Sequence, residues 1–143
     1  METSQLFFYD DIEDGMARER DYVVTQSVYE DFLRVFGDRG PLHLEVGYAE
    51  KCGFVGTVMH GAILNGFISN FIGTVLPGGR SLELSVEIRF SQPVYLGDTL
   101  RLQGKVVQKL EVMQVVVLHL TFLNQTRGNT AATARVQVKM MSL

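Results

Sequence analysis

The most regular pattern in the chain is an alternation. Leu82, Leu84, Val86, Ile88 and Phe90 interleave with Ser81, Glu83, Ser85, Glu87 and Arg89, the period of an antiparallel strand with one buried face. Upstream the period changes. Across 60–76 the apolar residues Ala62, Ile63, Leu64, Phe67, Ile68, Phe71, Ile72, Val75 and Leu76 fall on every side of a helical wheel, which predicts an enclosed helix. Pro77-Gly78-Gly79 ends it. Downstream, 100–110, 112–123 and 131–140 read as three further long strands, with the last turn at 124–129 around Gly128. Near the start, 6–9 is a short apolar run suited to a first strand. Residues 21–25, Asp-Tyr-Val-Val-Thr, read as another strand from their β-branched and aromatic content. Ser27 and Glu30 have the spacing of a capping box. Val28, Phe32, Val35 and Phe36 follow at helical spacing and Gly37 stops the helix. Gly40-Pro41 places 38–43 in a loop, 45–51 forms a short helix ended by Gly53, and 54–59 is a second loop.

An all-apolar helix needs enclosure and a half-apolar sheet needs cover. The predicted architecture is therefore α+β: a single domain over 1–143, with an antiparallel β-sheet wrapped around a buried central helix. Long sheet edges would remain, and pairing of two sheets in a homodimer would close them.

The chain has 143 residues, of which 46% are hydrophobic and 20% charged, and a formal net charge of -3. Its length suits one domain with its own core. Without a basic footprint, nucleic acid is not an expected partner, and nothing polybasic points to a membrane. The apolar stretch 62–76 is too short and too interrupted by Asn, Ser and Gly to span a bilayer. Residues 1–9 lack the basic start and long apolar core of a secretion signal. One cysteine, Cys52, excludes an internal disulfide and a paired-thiolate metal site. A reducing cytoplasm is the simplest compartment.

Few residues carry candidate chemistry. Asp38 and His43 share a Pro-containing loop; read alone, Asp38 is first a turn residue and His43 first a partly buried structural histidine. His60, just before the apolar helix, is an orienting or capping residue. Asn65 and Ser69 are four apart on one helix face, either lining a pocket or hydrogen-bonded within the core. His119, among Val117, Leu118 and Leu120, is structural or interfacial. Arg80 and Arg89 could meet the phosphates of a ligand, although single arginines in strands are ordinarily solvated, and Cys52 lacks the surroundings of a nucleophile.

Gly37-Asp38-Arg39-Gly40-Pro41-Leu42-His43 resembles the G-D-x-N-P-x-H motif of the MaoC-like (R)-specific enoyl-CoA hydratases and acyl dehydratases, with Gly40 where the family carries Asn. Val58-Met59-His60-Gly61 resembles the segment that opens the family's central helix, and Pro77-Gly78 resembles its exit. Phe90-Ser91-Gln92-Pro93-Val94-Tyr95-Leu96-Gly97-Asp98 resembles its F-x-x-P-V-x-x-G-D turn. The four motifs occur in order across about 23–138.

The resemblance implies a hot-dog fold and a hydro-lyase acting on a trans-2-enoyl-CoA or acyl-carrier thioester, or the reverse dehydration. It implies Asp38 and His43 as the catalytic pair and Gly61 as the donor whose N–H holds the thioester carbonyl. His60, Asn65 and Ser69 join Gly61 as substrate-binding candidates, Ser69 because relatives carry a serine there. No cofactor or metal is required. A hot-dog thioesterase and a non-catalytic acyl-thioester-binding protein are the alternatives, since one fold hosts several functions. The chemistry suits these residue types: carboxylate and imidazole have unperturbed pKa values of about 3.9 and 6.5, and burial can move both toward neutrality. The first N–H groups of a helix lack internal partners and attract developing negative charge.

Overall fold

The computed structural model describes residues 4–142. Residues 1–3 and 143 lie outside the described residues, so the first three positions of the segment 1–9 and both ends of the predicted domain are not covered.

Five strands form one antiparallel sheet: β1 (Ala17–Val23), β2 (Ser81–Phe90), β3 (Thr99–Leu110), β4 (Val115–Asn124) and β5 (Asn129–Met140), in the order β1-β3-β4-β5-β2. Four helices lie between β1 and β2: α1 (Gln26–Phe36), α2 (Pro41–Leu44), α3 (Val46–Lys51) and α4 (Gly61–Thr74). The sheet wraps α4, the predicted central helix. Ile63, Leu64, Ile68, Phe71 and Ile72 of α4 are buried against the inner face of the sheet, which includes Leu102, Val106, Leu118, Leu120, Val136 and Val138. The closest approach is at Gly104 of β3, where an added β-carbon would stand 2.5 Å from the Phe71 ring. A side chain there would push the helix off the sheet.

Several expectations are corrected. The helix is not enclosed all round: Ala62, Asn65, Gly66, Ser69 and Asn70 are exposed, so α4 buries one broad face. Its polar rim is tied to β1 instead: Arg20 donates to Asn70 Oδ1 (3.1 Å) and Thr74 Oγ1 (2.8 Å), and the Tyr22 hydroxyl donates to Asn70 Oδ1 (2.7 Å). The alternation in β2 is broken by a register shift between Glu83 and Ser85. Val86 and Ile88 face inward with Val136 and Ala134, but beyond the shift Glu83 pairs with Val138 and Leu82 with Lys139. One extra residue reverses which side of the sheet each side chain takes, leaving Leu82 and Leu84 about half exposed.

At the N-terminal end, Leu6 makes only an isolated bridge to Gly78 and Tyr9–Asp11 is a 3-10 turn, so 6–9 is not a strand. β1 begins four residues earlier than expected, at Ala17. Thr25 caps α1, accepting from Val28 N at 3.1 Å, in place of the Ser27 capping box. Gly37 ends that helix at φ +70°, the left-handed conformation that glycine adopts without strain. The expected loop 38–43 contains α2, whose first residue is Pro41, a helix position at which proline's missing N–H costs nothing.

Candidate active site

His43 sits on α2 directly after the turn at 38–40, and three contacts hold it. Its Nδ1 lies 2.7 Å from the Val58 carbonyl. A carbonyl only accepts, so Nδ1 carries the proton and, in the neutral ring, Nε2 keeps its lone pair. The Tyr29 hydroxyl of α1 donates to the His43 carbonyl at 2.7 Å. Burial raises the Tyr29 phenol above its ordinary range, with Arg39 opposing, so it remains a donor. Beneath the ring, His60 stacks on His43 with centroids 3.9 Å apart.

Asp38 faces the free nitrogen, with Oδ2 at 3.8 Å from His43 Nε2. That is too long for a hydrogen bond, but one water can sit about 2.8 Å from each atom, off the line joining them. The Asp38 side chain is 56% exposed and that of His43 20%, so solvent reaches the pair. The Gly40 N–H donates to Asp38 Oδ1 at 3.1 Å, holding the carboxylate in an Asx turn.

The start of α4 supplies the third component. Gly61 is its first helical residue, and no hydrogen bond engages its N–H among the described residues. A cavity of about 390 Å³ joins His43 and Gly61, walled by Phe54, Leu64, Phe90 and Pro93. This wall is largely apolar, as ligand sites are. The turn after β2 props it: Met59 N donates to the Val94 carbonyl at 2.8 Å. That turn is braced by Asp98, only 1% exposed, which accepts from Tyr95 N (2.9 Å), Asn124 Nδ2 (2.8 Å) and Arg127 Nε (2.9 Å).

The predicted residues thus separate into two groups. Asp38, His43, His60 and Gly61 converge. Asn65 does not line the His43 cavity; it lies on a second, apolar groove of about 880 Å³ between α1 and α4, beside Val28, Phe32 and Phe67. Ser69 is exposed, about two turns along the helix from Gly61. Neither is hydrogen-bonded inside a core. His119 is exposed on the outer face of the sheet, opposite Lys105 and Arg135. Neither Tyr29 nor the Val58 carbonyl was anticipated, since a backbone acceptor has no sequence signal; Phe90, read as an alternating strand residue and as the start of the turn motif at 90–98, was not expected in the cavity wall.

Asp38 Oδ2, His43 Nε2 and His60 Nε2 also cluster closely enough to suggest a metal site. His60 Nε2, however, lies 2.8 Å from the Asp38 carbonyl and so must carry a proton there, leaving two free donors rather than three.

Comparison with known proteins identifies the family of the chain. The chain is 29% identical over 104 residues to a 3-hydroxybutyryl-CoA dehydratase of Methylorubrum extorquens, covering 73% of this chain and 66% of that one. It is 31% identical over 94 residues to an (R)-specific enoyl-CoA hydratase of Rhodospirillum rubrum, covering 66% and 65% respectively. The chain thus spans just under two thirds of each of these relatives. Among solved structures, the R-hydratase PhaJ1 of Pseudomonas aeruginosa superposes with a TM-score of 0.85 at 30% identity, covering 95% of this chain and 86% of that one. The (R)-hydratase of A. caviae superposes with a TM-score of 0.83 at 26% identity, covering 91% and 98%. Both neighbours share the wrapped sheet and central helix of the hot-dog fold. Residues 8–126 match the family model described as MaoC like domain, a span that includes the Asp38–His43 turn, the start of α4 and the Asp98 brace, and the chain belongs to that family.

Proposed function

We propose that this protein is a hydro-lyase that adds water to a trans-2-enoyl-CoA or acyl-carrier thioester, giving a 3-hydroxyacyl thioester, and that it catalyses the reverse dehydration. The observation that carries the reading is the 3.8 Å separation of Asp38 Oδ2 and His43 Nε2, on a cavity shared with the unbonded Gly61 N–H. The two named relatives act on the same functional class, one as a dehydratase and one as a hydratase.

In this mechanism a water lies between Asp38 and His43. His43 Nε2 takes one of its protons while the oxygen bonds to the β-carbon. The π electrons move toward the thioester carbonyl, and the charge on its oxygen is met by the Gly61 N–H at the positive end of α4. The imidazolium, stabilised beside the Asp38 carboxylate, then delivers the proton to the α-carbon. Water's hydroxyl and proton end on adjacent carbons and the thioester bond stays intact. His60 supports the pair. Asn65 and Ser69, on the open face of α4, are assigned to the acyl portion of the substrate.

The reading extends to one domain over 1–143 and to a homodimer. β2 is an edge strand with Leu82, Leu84 and Phe90 about half exposed, and pairing with a second copy would cover it. No described helix is long and apolar enough to cross a membrane. The single cysteine is in keeping with the cytoplasm as compartment.

The test is the enoyl absorbance of a but-2-enoyl-CoA solution. The wild-type chain is expected to consume it without releasing free thiol. Asp38→Asn and His43→Gln should each lower the rate by about 10²–10⁴-fold with unchanged thermal midpoints. Unimpaired turnover in either variant would remove the pair from the chemistry. Thiol release with the double bond intact would move the assignment to a thioesterase.

A further inference from the structure

His60 occupies the N-cap position of α4 but does not cap it. A residue there ordinarily turns its side chain back to accept from the helix's second or third N–H. The His60 side chain makes no such bond and points away, into the turn that carries the candidate chemistry. It is 2% exposed, and Nε2–H donates to the Asp38 carbonyl at 2.8 Å. One ring face stacks on His43 at 3.9 Å, and Phe32 of α1 packs at 4.6 Å. Its Nδ1 is buried without a partner. An unsatisfied buried acceptor costs about 1–3 kcal/mol, so stability alone is a poor reason for histidine here.

We propose that His60 is a positioning residue that sets the relative geometry of all three components of the site. The inference rests on the function proposed above. Through Nε2–H it fixes the backbone of Asp38; through its ring face it fixes the plane of the His43 imidazole. Because its side chain ignores the helix amides, the Ala62 N–H stays open to a thioester oxygen beside the Gly61 N–H, which an N-cap side chain does not engage. One buried ring thereby couples the carboxylate, the base and the oxyanion donor, which come from 38, 43 and 61 in the chain.

Two substitutions separate this role from simple packing. His60→Phe keeps an aromatic ring against His43 and Phe32 but removes the donor. His60→Gln keeps an N–H able to reach the Asp38 carbonyl. Both are assayed for kcat and KM on but-2-enoyl-CoA alongside thermal unfolding. In His60→Phe, kcat is expected to fall about 100-fold, the scale of a roughly 1 Å misplacement, with KM nearly unchanged; His60→Gln recovers about tenfold of that loss. Wild-type kcat in folded His60→Phe would overturn the proposal, as would loss of kcat in His60→Gln equal to that in His60→Phe. A measurement independent of turnover accompanies these. Imidazole 15N–1H spectra of the wild-type chain in mildly alkaline solution, simplified by there being only three histidines, should place the proton of His60 on Nε2 and that of His43 on Nδ1. The opposite tautomer at His60 would refute the positioning role even if His60→Phe failed to fold. Absence of hydration by the wild-type chain, with the expected tautomers present, would instead sink the functional reading.

Discussion

The Phe90 ring lies directly over Gly61: a β-carbon built on that glycine would stand 2.8 Å from Phe90 Cζ and 3.0 Å from Cε1. The end of β2 therefore covers the start of α4, and glycine is what lets the two meet. Phe90 is 55% exposed, so its ring can swing aside, but doing so alters the wall of the His43 cavity.

Gly61→Ala is accordingly expected to lower the thermal midpoint little while reducing kcat/KM for hydration, by up to about 100-fold, the lower scale for loss of an oxyanion donor. Adding Phe90→Leu should return part of the activity. Full activity in the single variant would show that nothing binds close to this backbone.

Gly40 has φ -53° and ψ 137°, which any residue adopts, yet an added β-carbon would meet Asp38 Oδ1 at 3.3 Å and His43 Cδ2 at 3.4 Å. The exposed Asp38 carboxylate can give way. Gly40→Ala should stabilise the fold by about 0.4–1 kcal/mol through the unfolded chain, and lower kcat as Asp38 shifts from His43. Urea unfolding and the enoyl assay measure the two effects; destabilisation would mean that the turn cannot yield.

Arg127 meets the buried Asp98 at 2.9 Å while lying over the Tyr95 ring at 4.1 Å. Arg127→Ala leaves a carboxylate buried with only neutral donors, a loss of about 3 kcal/mol. Urea unfolding should show the change. Arg127→Lys, which keeps the charge but not the planar fork, should fall between.

The Asp21 carboxylate of β1 is held below its ordinary range, chiefly by hydrogen bonds from Arg101 of β3 (2.8 and 3.2 Å) and also by its charge. A depressed folded value means the stabilisation is complete above the unfolded pKa of about 3.9 and is lost as pH falls through the folded value. The gap in stability between wild type and Asp21→Asn should therefore be flat near neutrality and close in acid. Solvent screening keeps it small, and a gap that widened in acid would contradict the assignment.

Periodicity alone determined much of this protein. The change from helical to two-residue spacing at 77–81 separates α4 from β2, and glycine or proline marks most of the turns between. The family resemblance of two short motifs pointed to Asp38, His43 and Gly61 as candidates, and each motif is legible because its residues are adjacent in the chain. Tertiary structure decided the rest. The register shift between Glu83 and Ser85 reversed the outward face of β2, and a bulge depends on the partner strand rather than on the strand's own alternation. The open face of α4 at Asn65 and Ser69 was illegible because an apolar helix does not state which side the sheet reaches. The Val58 carbonyl that sets the His43 tautomer, and the His60 ring beneath it, belong to segments 15 and 17 residues away, counting from 43 to 58 and 60. Such contacts follow from how the chain closes on itself, not from the identity of its neighbours.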